Sequence, residues 1–196
     1  KRKLFSLVDS LRGLKTVSDA AVAAEIDEMR AKLGDNLKGT VEADLTTEDV
    51  NGIVLGYTEN GVITLNKNLR VGGIVYHEAF HIVFRISLTD EKRRQYLDTV
   101  AKITGGIKSD DGGKYIKIRG KKIYLNKFRL DRRYSGVADD VIADYIYEEY
   151  MADGFRDYKL NNKEPKNAVL KFLYRLMDSI VNFFTSAGYK KAKNSL

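Results

Sequence analysis

The chain has no cysteine, no tryptophan, a single proline and only two histidines among its 196 residues. Without cysteine there is neither a disulfide framework nor a thiolate metal site, so any metal must be held by His, Asp or Glu. The lack of cysteine also fits a cytosolic setting. The one proline, Pro165, stands where a last helix would begin, a position at which proline is tolerated. The apolar run of that last helix is crossed by a polar stripe of Lys171, Arg175, Asp178 and Asn182, which argues against a membrane span. There is no internal repeat and no targeting signal in the chain as it stands. Because Lys1 rather than Met comes first, it reads as a partial or processed chain, cytoplasmic or virion-associated. Hydrophobic residues make up 43% and charged residues 31%, a globular balance with enough apolar material for one core. The net charge of +7 favours acidic partners in general and names none.

Both histidines fall in one stretch, His77-Glu78-Ala79-Phe80-His81, inside the apolar run from Gly73 to Arg85. Positions i and i+4 share one face of a helix, so the two imidazoles can meet one metal ion. Glu78 lies about 100° round the helix from His77, within reach of a water at that metal. The pattern is the H-E-x-x-H of zinc peptidases, two ligands and a general base. The helix is apolar nearly all round and so should be buried. Two buried imidazoles and a carboxylate are costly without partners, and a metal would supply one.

Around this stretch the periodicity predicts a short helix over Leu4–Leu11. A second follows, capped by Ser18 or Thr16, with Val22, Ile26, Met29 and Leu33 at helical spacing and Gly34 as its stop. Asp35 to Asn51 reads as a loop, with one short helix near Thr46. Two β-branched runs, Ile53–Tyr57 and Val62–Leu65, flank Asn60-Gly61, a strong hairpin signal. Val62 to Leu65 is the expected edge for an extended peptide. Ser87-Leu88-Thr89-Asp90 reads as a capping-box variant before a helix with Leu97, Val100 and Ile103 inward. Ser109 to Gly113 reads as a flexible loop. Tyr115–Ile118 and Lys122–Leu125 form a second hairpin. From Lys114 to Arg133 there are nine Lys or Arg and one acid, Asp131, with Tyr115, Tyr124 and Phe128 interleaved. That is the sole nucleic-acid hint, set against a charged hairpin whose lysines merely protect a sheet edge. A long acidic helix, capped by Ser135, runs from about Val137 to Tyr158.

A catalytic zinc has three protein ligands and an open fourth position. With no third histidine the remaining ligand must be a carboxylate. Glu149 fits best, because Asp153 follows four residues later on the same face and could accept a hydrogen bond from a ligand histidine, His77. Glu148 competes for the ligand role, but Ala152 gives it no such companion. Tyr145, one turn before Glu149, is a candidate for stabilising an oxyanion; Tyr134 and the arginines near it are others.

With His77-Glu78-x-x-His81 and Glu149-x-x-x-Asp153 both in place, the chain resembles a gluzincin-type zinc metallopeptidase. In detail it is similar to ImmA/IrrE-like peptidases and to metallopeptidase domains of phage and mobile-element polyproteins. Ile63-Thr64-Leu65-Asn66 before the motif, and the segment Glu149 to Phe155, carry that closer likeness. It covers about Ile53 to Tyr158, with a longer spacer between His81 and Glu149 than the compact members have. The resemblance implies an α+β, mainly helical, zincin-like fold with a small sheet beside the motif helix. It also implies a Zn2+ cofactor, metal ligands His77, His81 and Glu149, Glu78 as general base, and a peptide or protein substrate. The expected organisation is an N-terminal helical segment (1–36), the metallopeptidase domain (37–160) with a basic hairpin insertion (114–133), and a C-terminal helix with a basic tail (161–196). The N-terminal helices are expected to cover the core, with a scaffold or pro-segment lying over the cleft as the sharper alternative. Two other functions stay open, a silent metal-binding structural component and a nucleic-acid module using the basic hairpin.

Overall fold

The computed structural model describes residues 4–5, 15–34, 37–43, 48–49, 52–53, 55–86, 88–130, 134–161, 167–168, 170–171 and 174–175. The elements run β1 (Leu4–Phe5), α1 (Asp19–Leu33), β2 (Gly39–Ala43), β3 (Glu48–Asp49), β4 (Gly52–Ile53), β5 (Gly56–Glu59), β6 (Val62–Asn66), α2 (Ile74–Ile86), α3 (Asp90–Thr104), β7 (Ile107–Asp110), β8 (Gly113–Ile118), β9 (Lys121–Tyr124), α4 (Leu125–Arg129) and α5 (Asp139–Asn161). The fold is α+β and mainly helical, as the pattern predicts.

The motif helix α2 is the centre of the core. Every residue from Ile74 to Phe84 is buried. One side packs on the four-stranded sheet β1-β5-β6-β2, and α1 and α5 cover others. Phe80 stacks on Phe84 at 5.4 Å and meets Phe155 of α5 at 5.9 Å. Each such fully buried aromatic is worth roughly 1.5–3 kcal/mol relative to exposure. The long apolar run therefore forms a helix enclosed by its neighbours, and the burial cost of its two histidines and Glu78 has to be met inside the protein.

The hairpin before α2 forms at Asn60-Gly61. Both residues have positive φ (54° and 81°), as the tightest antiparallel turns require. Its strands are β5 and β6, in register Thr58↔Ile63 and Glu59↔Val62. Val62–Leu65 is not an edge, which corrects the sequence reading. β6 is interior, because Gly39–Ala43 pairs with it in parallel. That pairing joins distant segments and leaves no local trace in the sequence. The expected helix over Leu4–Leu11 is also corrected where it is described: Leu4–Phe5 is a strand paired antiparallel with β5. The helix expected near Thr46 lies outside the described residues.

Ser18 caps α1 by accepting the Ala21 amide at 3.3 Å, and Val22, Met29 and Leu33 are buried. Thr89 caps α3 by accepting the Lys92 amide, but Ile103, expected inward, is exposed. The Ser109–Gly113 stretch is not a loop. It is the end of β7, a tight turn and the start of β8, in a three-stranded antiparallel sheet with β9. The long acidic helix begins at Asp139 rather than at a Ser135 cap. Of the last helix, residues 168, 170–171 and 174–175 are described as helical; the remainder lies outside the described residues. Tyr174 stacks on Tyr158 at 5.8 Å and sits over Gly154, where a Cβ would stand 1.5 Å from its hydroxyl. No described helix is long and apolar enough to cross a membrane.

The basic hairpin lies against acids. Lys114 and Arg129 pair with Asp139 at 2.7 and 2.6 Å, Arg119 with Asp157 at 2.9 Å, and Lys122 with Asp110. These exposed pairs are individually weak, but they direct four of the basic side chains onto carboxylates of this chain.

α1 is bolted to the motif helix. No Ser, Thr, Asn or Asp precedes Ile74; the residues there are Val71-Gly72-Gly73. Instead Glu25 of α1, itself buried, accepts the Gly73 amide at 2.7 Å and places a carboxylate at the positive end of α2. Burial raises the Glu25 pKa, and the amides of Gly73 and Val75 oppose this. Gly73 has φ +78°, and a Cβ there would meet the Arg156 stem at 2.5 Å, so glycine lets α5 close on this end. One turn on, Glu28 accepts the Tyr76 hydroxyl at 2.6 Å and pairs with Lys32 and with Lys159 of α5. This is scaffold packing.

Replacing Glu25 with Ala is expected to cost about 1–2 kcal/mol in urea unfolding, as removal of a helix cap does. Burial alone would raise the Glu28 carboxyl, but Lys32, Tyr76 and Lys159 outweigh it and hold the pKa at about 2. Its stabilising contribution is therefore present above the ordinary carboxylate pKa of about 4.5 and lost as pH falls from there toward 2. Acid unfolding followed by circular dichroism should show a shallower loss over that window in Glu28→Gln than in wild type.

Candidate metal centre

His77 and His81 project from the α2 face that meets α5, and Glu149 projects from α5 toward them. His77 Nε2 lies 3.2 Å from Glu149 Oε2, His81 Nε2 lies 3.3 Å from Glu149 Oε1, and the two Nε2 atoms are 3.3 Å apart. Ligand atoms of a tetrahedral centre with bonds of about 2.0–2.1 Å are separated by about 3.3 Å. Among the described residues, this is the one group of three or more such side chains with ligand atoms gathered closely enough to hold a metal ion. All three residues are at most 1% exposed.

The outer nitrogens also face carboxylates. His77 Nδ1 lies 3.2 Å from Asp153 Oδ1, the pairing expected from the sequence. His81 Nδ1 donates to Glu148 Oε1 at 2.8 Å. Glu148, weighed above as a rival ligand, instead orients the second histidine. A carboxylate only accepts, so in a neutral ring the proton stays on Nδ1 and the Nε2 lone pair faces inward, where a cation would need it. Each supporting carboxylate is held by an arginine from the helix on which it or its histidine sits. Arg156 Nη1 lies 2.8 Å from Asp153, and Arg85 Nε donates to Glu148 at 3.1 Å. Sequence reasoning missed Arg85 and Glu148 in these roles. The signal was present: Arg85 is four residues beyond His81, and Glu148 adjoins Glu149.

Burial opposes charge on the imidazoles, but the acids prevail. Asp153 and Glu149 hold His77 at about 9, and Glu149 with Glu148 holds His81 at about 10. Glu149 is pushed up by burial and brought down to about 2 by the two histidines. The cluster thus favours positive charge at its centre, and a divalent cation meets the same field.

Glu78 is completely buried. Thr58 Oγ1 of β5 donates to its Oε2 at 2.9 Å, while Oε1 has no hydrogen-bond partner among the described residues. Burial raises its pKa; His77 and His81 oppose this. Tyr145 stands in a ring cluster with Phe128 at 5.9 Å and Tyr134 at 5.6 Å.

The chain matches no protein-family model, no curated protein and no solved structure. The reading of the site therefore rests on its own geometry.

Isothermal titration with divalent zinc should show one tight site in wild type and none in His77→Ala or Glu149→Gln. Glu148→Gln should bind about 10- to 100-fold more weakly, the effect of losing an orienting carboxylate. Unchanged affinity in Glu148→Gln would remove it from the site.

Proposed function

We propose that the protein is a zinc-dependent peptidase, an endopeptidase that hydrolyses a peptide bond with water. The observation that carries this is the tetrahedral spacing of His77 and His81 of α2 with Glu149 of α5, together with Glu78 on the helix that bears the two histidines. An ion held by these three side chains alone would have a fourth position for water, as catalytic rather than structural sites do. His77, His81 and Glu149 would hold the ion. When bound there, zinc polarises a scissile carbonyl and acidifies a water.

The remaining work belongs to the chain. Thr58 fixes one oxygen of Glu78 and leaves the other to accept a proton from the attacking water and pass it to the leaving amine. Burial lifts the Glu78 pKa toward the working range of a general acid–base, as in other tuned carboxylates. Asp153 and Glu148 keep both imidazoles oriented. Tyr145 remains the candidate oxyanion donor.

A silent structural metal centre is the second reading, favoured by the complete burial of Glu78 and the ligands. Casein or a peptide library incubated with zinc-loaded wild type and Glu78→Gln separates the two. The peptidase reading expects cleavage by wild type and a loss of about 100-fold or more in the variant, with zinc content unchanged. Equal rates, or no cleavage by either, would leave a structural centre.

A further inference from the structure

Resting on the peptidase reading, we propose that the outer edge of β5 is the strand-docking edge of the site, and that Leu4–Phe5 occupies it as an intramolecular competitor of an extended peptide. β5 has β6 on one side and, on the other, among the described residues, the strand β1. The pairing is antiparallel, Leu4 opposite Thr58 and Phe5 opposite Tyr57. Thr58 is the residue whose hydroxyl holds Glu78 Oε2, so the occupant of this edge pairs at the strand position that touches the proposed base.

Residues directly opposite in an antiparallel pair lie on the same face of a sheet. Thr58 presents its side chain to Glu78, so any strand docked here brings the residue opposite Thr58 to the Glu78 side. The next residue falls on the other face. β5 is also shaped for a close approach. At Gly56 a Cβ would stand 2.9 Å from the Thr64 carbonyl oxygen and 3.5 Å from Glu78 Oε1, so the missing side chain lets the strand run directly over the carboxylate. Recognition by strand addition uses main-chain hydrogen bonds, which any extended peptide can offer and a nucleic acid cannot. Among the described residues, the pairing engages two of the four residues of β5. A longer extended peptide would make more bonds and could replace it.

The chain has no cysteine, so two introduced cysteines can pair only with each other within a chain. The full chain carrying Phe5→Cys and Tyr57→Cys should form a disulfide on mild oxidation. The probe is a fluorescein-labelled synthetic peptide with the sequence of residues 1–8, followed by anisotropy. An intramolecular strand acts at an effective concentration of about 1 mM. The oxidised variant should therefore bind the probe about ten-fold more weakly than the same variant reduced with a phosphine. The full chain with Leu4→Pro and Phe5→Pro, which removes whichever amide faces β5, should bind it about ten-fold more tightly than wild type. Failure of the cysteines to link, or equal probe binding by the oxidised and reduced forms, overturns the proposal. Neither binding measurement contains a hydrolysis step. They decide the docking edge separately from the Glu78→Gln assay, which decides the peptidase reading.

Discussion

Four acid–base side chains, His77, His81, Glu78 and Glu149, lie in the interior, each at most 1% exposed. Keeping them there is the constraint to which the rest of the structure answers. Isolated charges of this kind would each be expensive to bury, and the protein meets the cost by mutual compensation. Glu149 faces both imidazoles, Asp153 and Glu148 back them, and Thr58 holds Glu78. The apolar faces of α2, α5 and the sheet bring these groups within a few ångströms and keep water away. The same dryness strengthens every electrostatic contact inside.

The His77-His81-Glu149 cluster was legible in the sequence because helix periodicity is local. His77 and His81 are four apart, as are Glu149 and Asp153, and two such pairs on two helices suggest one another without any knowledge of tertiary structure. The hairpin at Asn60-Gly61 was legible for the same reason, since its turn chemistry sits in adjacent residues. Features that depend on distant segments were not. The parallel pairing of Gly39–Ala43 with Val62–Asn66 turned an apparent edge into an interior strand. Leu4 and Phe5 belong to an apolar spacing that suits a helix, yet the described backbone there follows the unsatisfied edge of β5. Glu148 was ambiguous because adjacent carboxylates on a helix differ by about 100°. Only the position of His81 decides that one faces the ring and the other the centre.

The N-terminal helix acquires a definite place from this. Its sequence suggested a covering element or a pro-segment; in the structure it packs on the motif helix, and its buried Glu25 accepts an amide of that helix's first turn. A helix that begins Val71-Gly72-Gly73 is poorly specified as a start. Supplying its cap from another element makes the alignment of the face that carries His77 and His81 depend on the packing of α1.

The two arginine-backed arms behind the histidines look equivalent on paper but differ in access to solvent. Arg156 is 5% exposed where it meets Asp153, whereas Arg85 is 39% exposed where it meets Glu148. Mobile ions screen exposed pairs far more than buried ones. Rising ionic strength therefore acts more on the Arg85–Glu148 contact than on Arg156–Asp153. Two histidines that are interchangeable in the motif thus differ in this fold in how far the arginine behind each is open to mobile ions.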